Sequence, residues 1–350
     1  MTGSSSAPND ISVETHAAEH LQRLARQPRP AGGPEAAQGR QYCARVLAAL
    51  GFEMLERDFE YSAAVGEYGT PVAGVLAFCV SLVALGTQSR LVLIGGALLL
   101  AIGGRWLAQR GVLGLPLRRR KGVNLEARRG ASDPSLWLVA HIDSKSQPIP
   151  LLLRAAGILL VAVAWIGALL WTTEWLYVGL IGSLPIIAST VGRRSAGAVD
   201  NASGVATVLT AASLLPSELP VGVLITDAEE LGLAGARAWC SNRVPGVVLN
   251  CDGVDDTGPL TLMWTRPRAR RLESAFGAGV RVIPLVPGVL VDGLAFSDAG
   301  WEAITLSRGT LGTLRRIHTR EDDLEHMKGI GVAHAARELA RAVVTLTERR

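Results

Sequence analysis

Lysine is almost missing from this chain. Lys121, Lys145 and Lys328 are the whole set among 35 basic residues, so the formal charge of +4 rests on arginine. Aromatic residues make up only 5% of the 350, and the arginines are scattered. A nucleic-acid platform needs stacked rings in a basic groove; neither is present, and no nucleic-acid partner is expected. Cys43, Cys79, Cys240 and Cys251 show no paired spacing, and Cys79 stands inside an apolar run, so no disulfide framework is expected and nothing requires an oxidising compartment. The N-terminal stretch "MTGSSSAPNDISVETHAAEH" has no basic region followed by an apolar core, so no cleavable signal peptide is expected. Residues 1–10 read as a disordered terminus.

Apolar residues, by contrast, are abundant. They form 49% of the chain, and the mean hydropathy of +0.28 is high for a soluble enzyme. Between residues 71 and 108, two apolar runs, Val72 to Leu85 and Leu91 to Leu107, are separated only by "GTQSR". A second pair, Ala155 to Trp171 and Trp175 to Val191, occupies residues 149–192 with "TTE" between its members. Each run is near the lower length limit for a membrane span. Trp165, Trp171, Trp175 and Tyr177 cluster as interface aromatics would, and Pro185 is placed to kink the last helix. Two transmembrane hairpins, four spans in all, are the expectation; core helices of a soluble protein are the bland alternative.

With the hairpins set aside, residues 11–70, 109–148 and 193–350 read as one α/β domain. A surface helix is expected over Ile11 to Arg26, and a second from Pro34 to Leu50 with Gly51 as its stop. "FEMLERDFEY" alternates as a strand, and "SLWLVAHID", "VGVLITD" and "GVVLNCD" read as buried strands. "DNASGVATVLTAASLL" reads as a helix opened by capping residues. Alternating strands and helices predict a mostly parallel mixed sheet between helices, with a site at the carboxyl ends of its strands.

Those ends carry ligand-type residues: His141 and Asp143 in "HID", Asp200 in "VDNASG", Glu229 and Glu230 in "DAEELGLAG", Asp252 in "NCD" and His318 in "HTRED". Alone, each has an ordinary structural reading, a core histidine or a helix cap. Their joint order, with "PRPAGGPE" before the first long helix and "GVNLEA" before the first of these strands, resembles the di-zinc exopeptidase family of bacterial leucyl aminopeptidases, to which glutaminyl cyclases are similar. The resemblance implies two zinc ions per chain, His141 and Asp252 on one, Glu230 and His318 on the other, and Asp200 bridging. It also implies Asp143 behind His141, Glu229 as general base, a peptide with a free N-terminus as substrate, and a cis bond between Asp200 and Asn201. A bridging carboxylate offsets the repulsion of two close cations, and a base beside the metals moves the proton of the attacking water. Adjacent Glu229 and Glu230 cannot share one face of a regular strand, so a turn is expected there.

The pattern has departures. "VDGLAF" keeps Asp292 where the family often has Ser-Asp-His, Ala236 stands where Ser is usual, and no Tyr follows Tyr177 to steady a tetrahedral intermediate. A glutaminyl cyclase-like acyltransferase and a non-catalytic membrane receptor or scaffold are the alternative functions. Basic residues (Arg105, Arg110, Arg118 to Lys121, Arg154, Arg193 and Arg194) flank the outer ends of the hairpins, while the turns hold only Arg90 and Glu174. The positive-inside rule then puts the peptidase domain in the cytoplasm at a bacterial inner membrane. Partners are a peptide and the lipid bilayer, and nothing speaks to oligomeric state.

Overall fold

The computed structural model describes residues 10–130, 133–286 and 288–348, so the terminus read as disordered lies outside it except for Asp10, the first residue of α1. Helix α1 (Asp10–Leu24) is not a loose surface helix. Its Val13, Ala17, Leu21 and Leu24 recur at helical spacing and are buried in the core. Helix α2 (Pro34–Ala49) starts on its proline, and Gly51 past its end takes φ +79, the left-handed conformation that glycine adopts without strain. Strand β1 (Glu53–Ser62) then runs directly into the first hairpin.

That hairpin is longer than the apolar runs suggest. Helix α3 (Ala63–Thr87) begins well before Pro71, which lies inside it, because the polar first turns are held by the domain: Glu67 pairs with Arg118 at 3.0 Å and Arg120 at 2.7 Å. Helix α4 (Arg90–Trp106) continues through a widened turn, Leu107–Gly111, into α5 (Val112–Gly114). The second hairpin comprises α6 (Leu151–Leu170) and the shorter α7 (Leu176–Ile187), with Pro185 inside the latter.

Three helical stretches, Ala63–Thr87, Arg90–Gly114 and Leu151–Leu170, are long and apolar enough to cross a membrane; the fourth, Thr173–Ile187, is shorter. Small residues let the helices approach one another: a β-carbon on Gly74 would meet Ile187, and one on Gly157 would meet Gly182 and Pro185. Trp165 departs from the interface reading. It is buried between the helices and donates its indole N–H to Ser81 at 2.9 Å, whereas Trp171, Trp175 and Tyr177 are exposed near the tip. The tips of the two hairpins touch, Arg90 donating to the Trp171 carbonyl at 3.2 Å and Thr173 bonding Gln88.

The rest of the chain is β2 (Arg119–Arg129), β3 (Leu136–His141), α8 (Gly204–Leu214), β4 (Val221–Thr226), α9 (Ala234–Cys240), β5 (Val247–Val254), β6 (Leu260–Trp264), the single turn α10 (Arg270–Glu273), β7 (Arg281–Pro284), α11 (Asp292–Asp298), β8 (Glu302–Arg308), α12 (Leu311–Arg316) and α13 (Ile330–Glu348). One eight-stranded sheet has the order β1-β2-β4-β3-β5-β8-β6-β7. Strands β4, β3, β5 and β8 pair in parallel, as do β6 and β7, while β1, β2 and the β6/β8 contact add antiparallel pairs. This is the mostly parallel mixed sheet that the alternation predicts. Helix α8 is apolar nearly all round because it is sandwiched, meeting β3 and β5 on one side and α1 and α13 on the other. The parallel strands direct their carboxyl ends to one edge, where the chain leaves for the second hairpin and returns.

Candidate metal centre

Strand β3 delivers His141 as its last residue, and Asp143 follows in the loop. The next parallel strand, β4, ends at Thr226, and its continuation turns sharply. Ala228 at φ +59, Gly232 at φ +109 and Leu233 at φ +62 break the strand and bring Glu229 and Glu230 to the same side. The turn is pinned by Asp143, whose two carboxylate oxygens accept the backbone N–H groups of Glu229 (3.1 Å) and Glu230 (3.2 Å). Strand β5 carries Asp252 where its pairing with β8 is interrupted between Cys251 and Val254, with Gly253 at φ +66; such a bulge re-aims a side chain.

Asp200 sits not in a capped helix start but in an irregular turn before α8, with non-helical backbone at Asp200 and Asn201 and a cis bond between them. The Asn201 side chain is a spacer, donating to the Cys251 carbonyl (2.9 Å) and accepting from the N–H groups of Gly204 (2.9 Å) and Gly253 (3.2 Å), and so ties the Asp200 turn to the Asp252 bulge. Asp322 accepts from the N–H groups of Val199 (2.6 Å) and Asp200 (3.2 Å). His318 has φ +65, and its carbonyl accepts from Gln147 N–H at 2.8 Å, coupling it to the loop before α6.

These turns bring all seven sequence-derived residues together. Asp200 Oδ1 is 3.2 Å from His141 Nε2, and its Oδ2 is 3.0 Å from His318 Nε2, so one carboxylate faces both imidazoles. His141 Nε2 is also 3.8 Å from Asp252 Oδ1 and 3.8 Å from Glu229 Oε2, and His318 Nε2 is 3.5 Å from Glu230 Oε2. Two donor sets result, His141, Asp200 and Asp252, and Asp200, Glu230 and His318, the ligand atoms of each lying within 4.8 Å of one another.

Asp143 is used differently from the simple expectation. His141 Nδ1 lies 3.0 Å from the Asp143 carbonyl oxygen and 3.6 Å from its carboxylate, which is occupied with the Glu229–Glu230 turn. The carbonyl bond still orients the imidazole with Nε2 toward the carboxylates.

The electrostatics follow from crowding acids in a buried place. Burial pushes the Glu229 carboxyl well above the ordinary range, with the charges of Glu230, Asp252 and Asp292 adding to the effect and His141 opposing it. Burial acts against ionised Asp200 too, but the imidazoles of His141 and His318 facing its two oxygens hold it well below the ordinary value. Glu230 is also lowered despite burial, chiefly by the Lys145 ammonium, 2.6 Å from Oε2. His141 Nε2 is buried without a hydrogen-bond partner although it points among carboxylates. An orphaned imidazole nitrogen amid converging acids suits cation coordination, and mixed His and carboxylate donors suit zinc.

The sequence pattern gives Lys145, Asp322 and Arg29 no part in the site and names Asn201 only for the cis bond. Arg29 is buried in "PRPAGGPE" and donates to the carbonyls of Ile142 (2.8 Å), Ala196 (2.7 Å) and Gly197 (3.1 Å), clamping the two segments that lead into and out of the second hairpin. Its acceptors are backbone atoms and leave no mark in the sequence.

Known structures share this architecture. An aminopeptidase from Aneurinibacillus sp. strain AM-1 superposes with a TM-score of 0.59 at 14% identity, covering 96% of this chain and 95% of that one. A zinc aminopeptidase from Bacillus subtilis gives 0.58 at 14%, covering 94% of each chain, and a glutaminyl cyclase from Fimbriiglobus ruber gives 0.55 at 15%, covering 95% of each. No curated protein matches the sequence. At these identities the likeness establishes the fold. The family is established by sequence, since the model of Peptidase family M28 matches residues 123–343, well over half of the chain, and this protein therefore belongs to peptidase family M28.

Proposed function

We propose that this M28 peptidase is a membrane-anchored di-zinc aminopeptidase. The observation that carries the reading is the placement of Asp200, one oxygen toward His141 and the other toward His318, between two complete donor sets. His141, Asp252 and Asp200 would hold one ion, and Glu230, His318 and Asp200 the other. When bound, zinc supplies Lewis-acid polarisation of the peptide carbonyl and acidifies water. Glu229 takes a proton from the attacking water and returns it to the leaving amine. Asp143 keeps Glu229 in place through the backbone, and Lys145 holds one oxygen of Glu230. No tyrosine is needed in this scheme.

Purified protein loaded with zinc, given peptides with free, acetylated and glutaminyl N-termini, tests the reading. Release of the first residue from free peptides alone, with two zinc ions per chain, is the expected result. Cleavage of acetylated peptides at the same rate would overturn the exopeptidase assignment. Loss of ammonia from glutaminyl peptides without cleavage would identify a cyclase.

The membrane assignment uses the hairpins. Thr173–Ile187 at about 1.5 Å per residue is short for a bilayer core of roughly 30 Å. It is nevertheless packed along α3 and α6 and joined at its tip to the first hairpin, which supports a fourth crossing. Basic residues at the hairpin bases support a cytoplasmic peptidase domain at a bacterial inner membrane. A cysteine placed at Thr172 should react with an impermeant maleimide added to intact cells. Reaction at Ser135 instead would reverse the orientation.

A further inference from the structure

A cavity of about 650 Å³ lies at the foot of the two hairpins, between the Pro30 to Glu35 loop and the side chains of Arg120 and Arg193. A narrower pocket of about 40 Å³ shares Pro30, Ala31, Arg120 and Arg193 with it and reaches Lys145 and Glu230 of the metal centre. We propose that this connected space is a subsite for a carboxylate of the peptide, distal to the bond that is cut, with Arg193 and Arg120 as the residues that bind it. The proposal rests on the aminopeptidase reading for its substrate.

Three observations carry it. The space is built by both membrane insertions as well as the domain, since Glu67 belongs to α3, Arg120 follows α5 and Val191 to Arg193 follow α7. Arg193 is the cation of its lining left for an anion: Glu67 pairs with Arg120 and with Arg118, which stands outside the lining, and Lys145 pairs with Glu230. Arg193 is exposed and has no ion pair among the described residues, so Glu35 is the one acid left to offset it. Finally, small residues, Ala31, Gly32 and Gly33, form part of its lining, leaving room for peptide backbone. A planar guanidinium binds a carboxylate through paired hydrogen bonds. The carboxylate could be the C-terminus of a short peptide or an acidic side chain, and both present the same group. A lipid phosphate would meet Arg193 at the mouth, but a lipid does not require the connection to Lys145 and Glu230, which favours the peptide.

The test uses full-length, zinc-loaded protein in nanodiscs of neutral phosphatidylcholine and three peptides: Leu-Gly-Gly as the acid, the same peptide as its amide, and Leu-Gly-Asp as its amide. The kcat/KM is measured on the parent and on each variant, and the equilibrium Kd by calorimetry on the same proteins carrying Glu229→Gln, in which the peptides should stay intact. The acid should be favoured over its amide by about tenfold, the order expected of one charge-assisted contact, and Arg193→Glu should collapse that ratio to near one. Arg281→Glu, an exposed reversal on β7, should leave it alone. The Asp-containing amide will behave like the acid if the side chain is also accepted, and like the plain amide if only a C-terminus is. Equal Kd values for acid and amide with Arg193 in place, or a ratio that survives Arg193→Glu, would overturn the subsite. If Arg193→Glu instead weakens binding to anionic vesicles and leaves the peptide ratio intact, the arginines serve the bilayer and the proposal falls. A difference in Kd without hydrolysis of any peptide by protein that keeps Glu229 would leave the subsite standing and refute the aminopeptidase reading.

Discussion

Gly66 of α3 lies against Leu231, so close that a β-carbon at residue 66 would stand 2.3 Å from the Leu231 α-carbon. Leu231 follows Glu230 directly. On the other side of the same turn, a β-carbon at Gly232 would lie 2.7 Å from Val112 of α5. Ala63, Val112, Ala228, Leu231 and Ala234 form one buried cluster with Tyr61. The turn that carries Glu229 and Glu230 is thus seated on the base of the first hairpin. Gly66→Ala forces backbone apart because the obstacle is main chain rather than a movable side chain, and overpacking of this kind costs about 1–3 kcal/mol. Peptidase activity should fall at least about tenfold, with loss of zinc from the Glu230 and His318 position before the His141 and Asp252 position. Zinc analysis together with kinetics on the purified variant checks this, and unchanged activity would show that the turn is held by Asp143 alone.

Asp200 and Glu229 make opposite demands on the metal. Asp200→Ala removes the carboxylate shared by both donor sets, so both zinc ions should be lost. Glu229→Gln keeps the shape of the side chain but cannot accept a proton; zinc content should stay while kcat falls by about 10²- to 10⁴-fold. Loss of zinc in Glu229→Gln would make that residue a ligand instead.

Why the site was legible while parts of the fold were not can be traced to particular residues. His141 and Asp252 stand at or near strand ends, Glu229 and Glu230 in the turn after β4, Asp200 in the turn before α8 and His318 in the turn after α12, and their chemical types and order are written in the sequence. The double glutamate itself announced the turn, since neighbours on a strand face opposite ways. The helper residues were hidden because they work through the backbone: Arg29 and Asn201 bond carbonyls and N–H groups that any sequence would provide. Trp165 was misread because its partner, Ser81, lies on a different hairpin. The short strands β6, β7 and β8 were not resolved by pattern, for runs such as "LTLMW" fit a strand or a turn of helix equally well. The early start of α3 depends on Glu67 finding Arg118 and Arg120, a contact between segments far apart in sequence.

Away from the metal centre, Glu126 on β2 is fully buried and is held below its ordinary pKa of 4.5; burial opposes this, but the Trp239 indole and the guanidiniums of Arg243 and Arg128 outweigh it. A carboxylate whose folded-state pKa is depressed contributes stability that is present in full above the unfolded value and is lost as pH falls through the lower folded value. Glu126→Gln should therefore be less stable than the parent at neutral pH, by about 1–3 kcal/mol for the loss of charged hydrogen bonds in a buried place. The gap should narrow below pH 4.5. Denaturation of parent and variant in parallel at pH 7 and in acid measures the gap, and any effect of metal loss is common to both. A gap that widens in acid would contradict the sign.

The second hairpin is closed at its base by an antiparallel bridge: Ser146 N–H donates to the Gly192 carbonyl at 3.1 Å, Gly192 N–H donates back at 2.6 Å, and Arg194 N–H bonds the Ser146 hydroxyl at 2.9 Å. Both tethers thus meet beside the metal centre, where Gln147 holds the His318 carbonyl. Residues 148–190 can be exchanged for an Asn-Gly turn, which suits a two-residue antiparallel connection, without cutting any of these bonds. The shortened protein should bind the same zinc, because no donor lies within the removed segment, and, under the proposed membrane anchoring, should stay in the membrane fraction through α3 and α4. Its activity on free short peptides should persist, but its preference among them should change, since Val191 and Arg193 would no longer be fixed at the cavity mouth by α7. If the shortened protein ranks a panel of peptides in the same order and with the same rates as the full chain, the hairpin is an anchor only, and the cavity owes its selectivity to the domain.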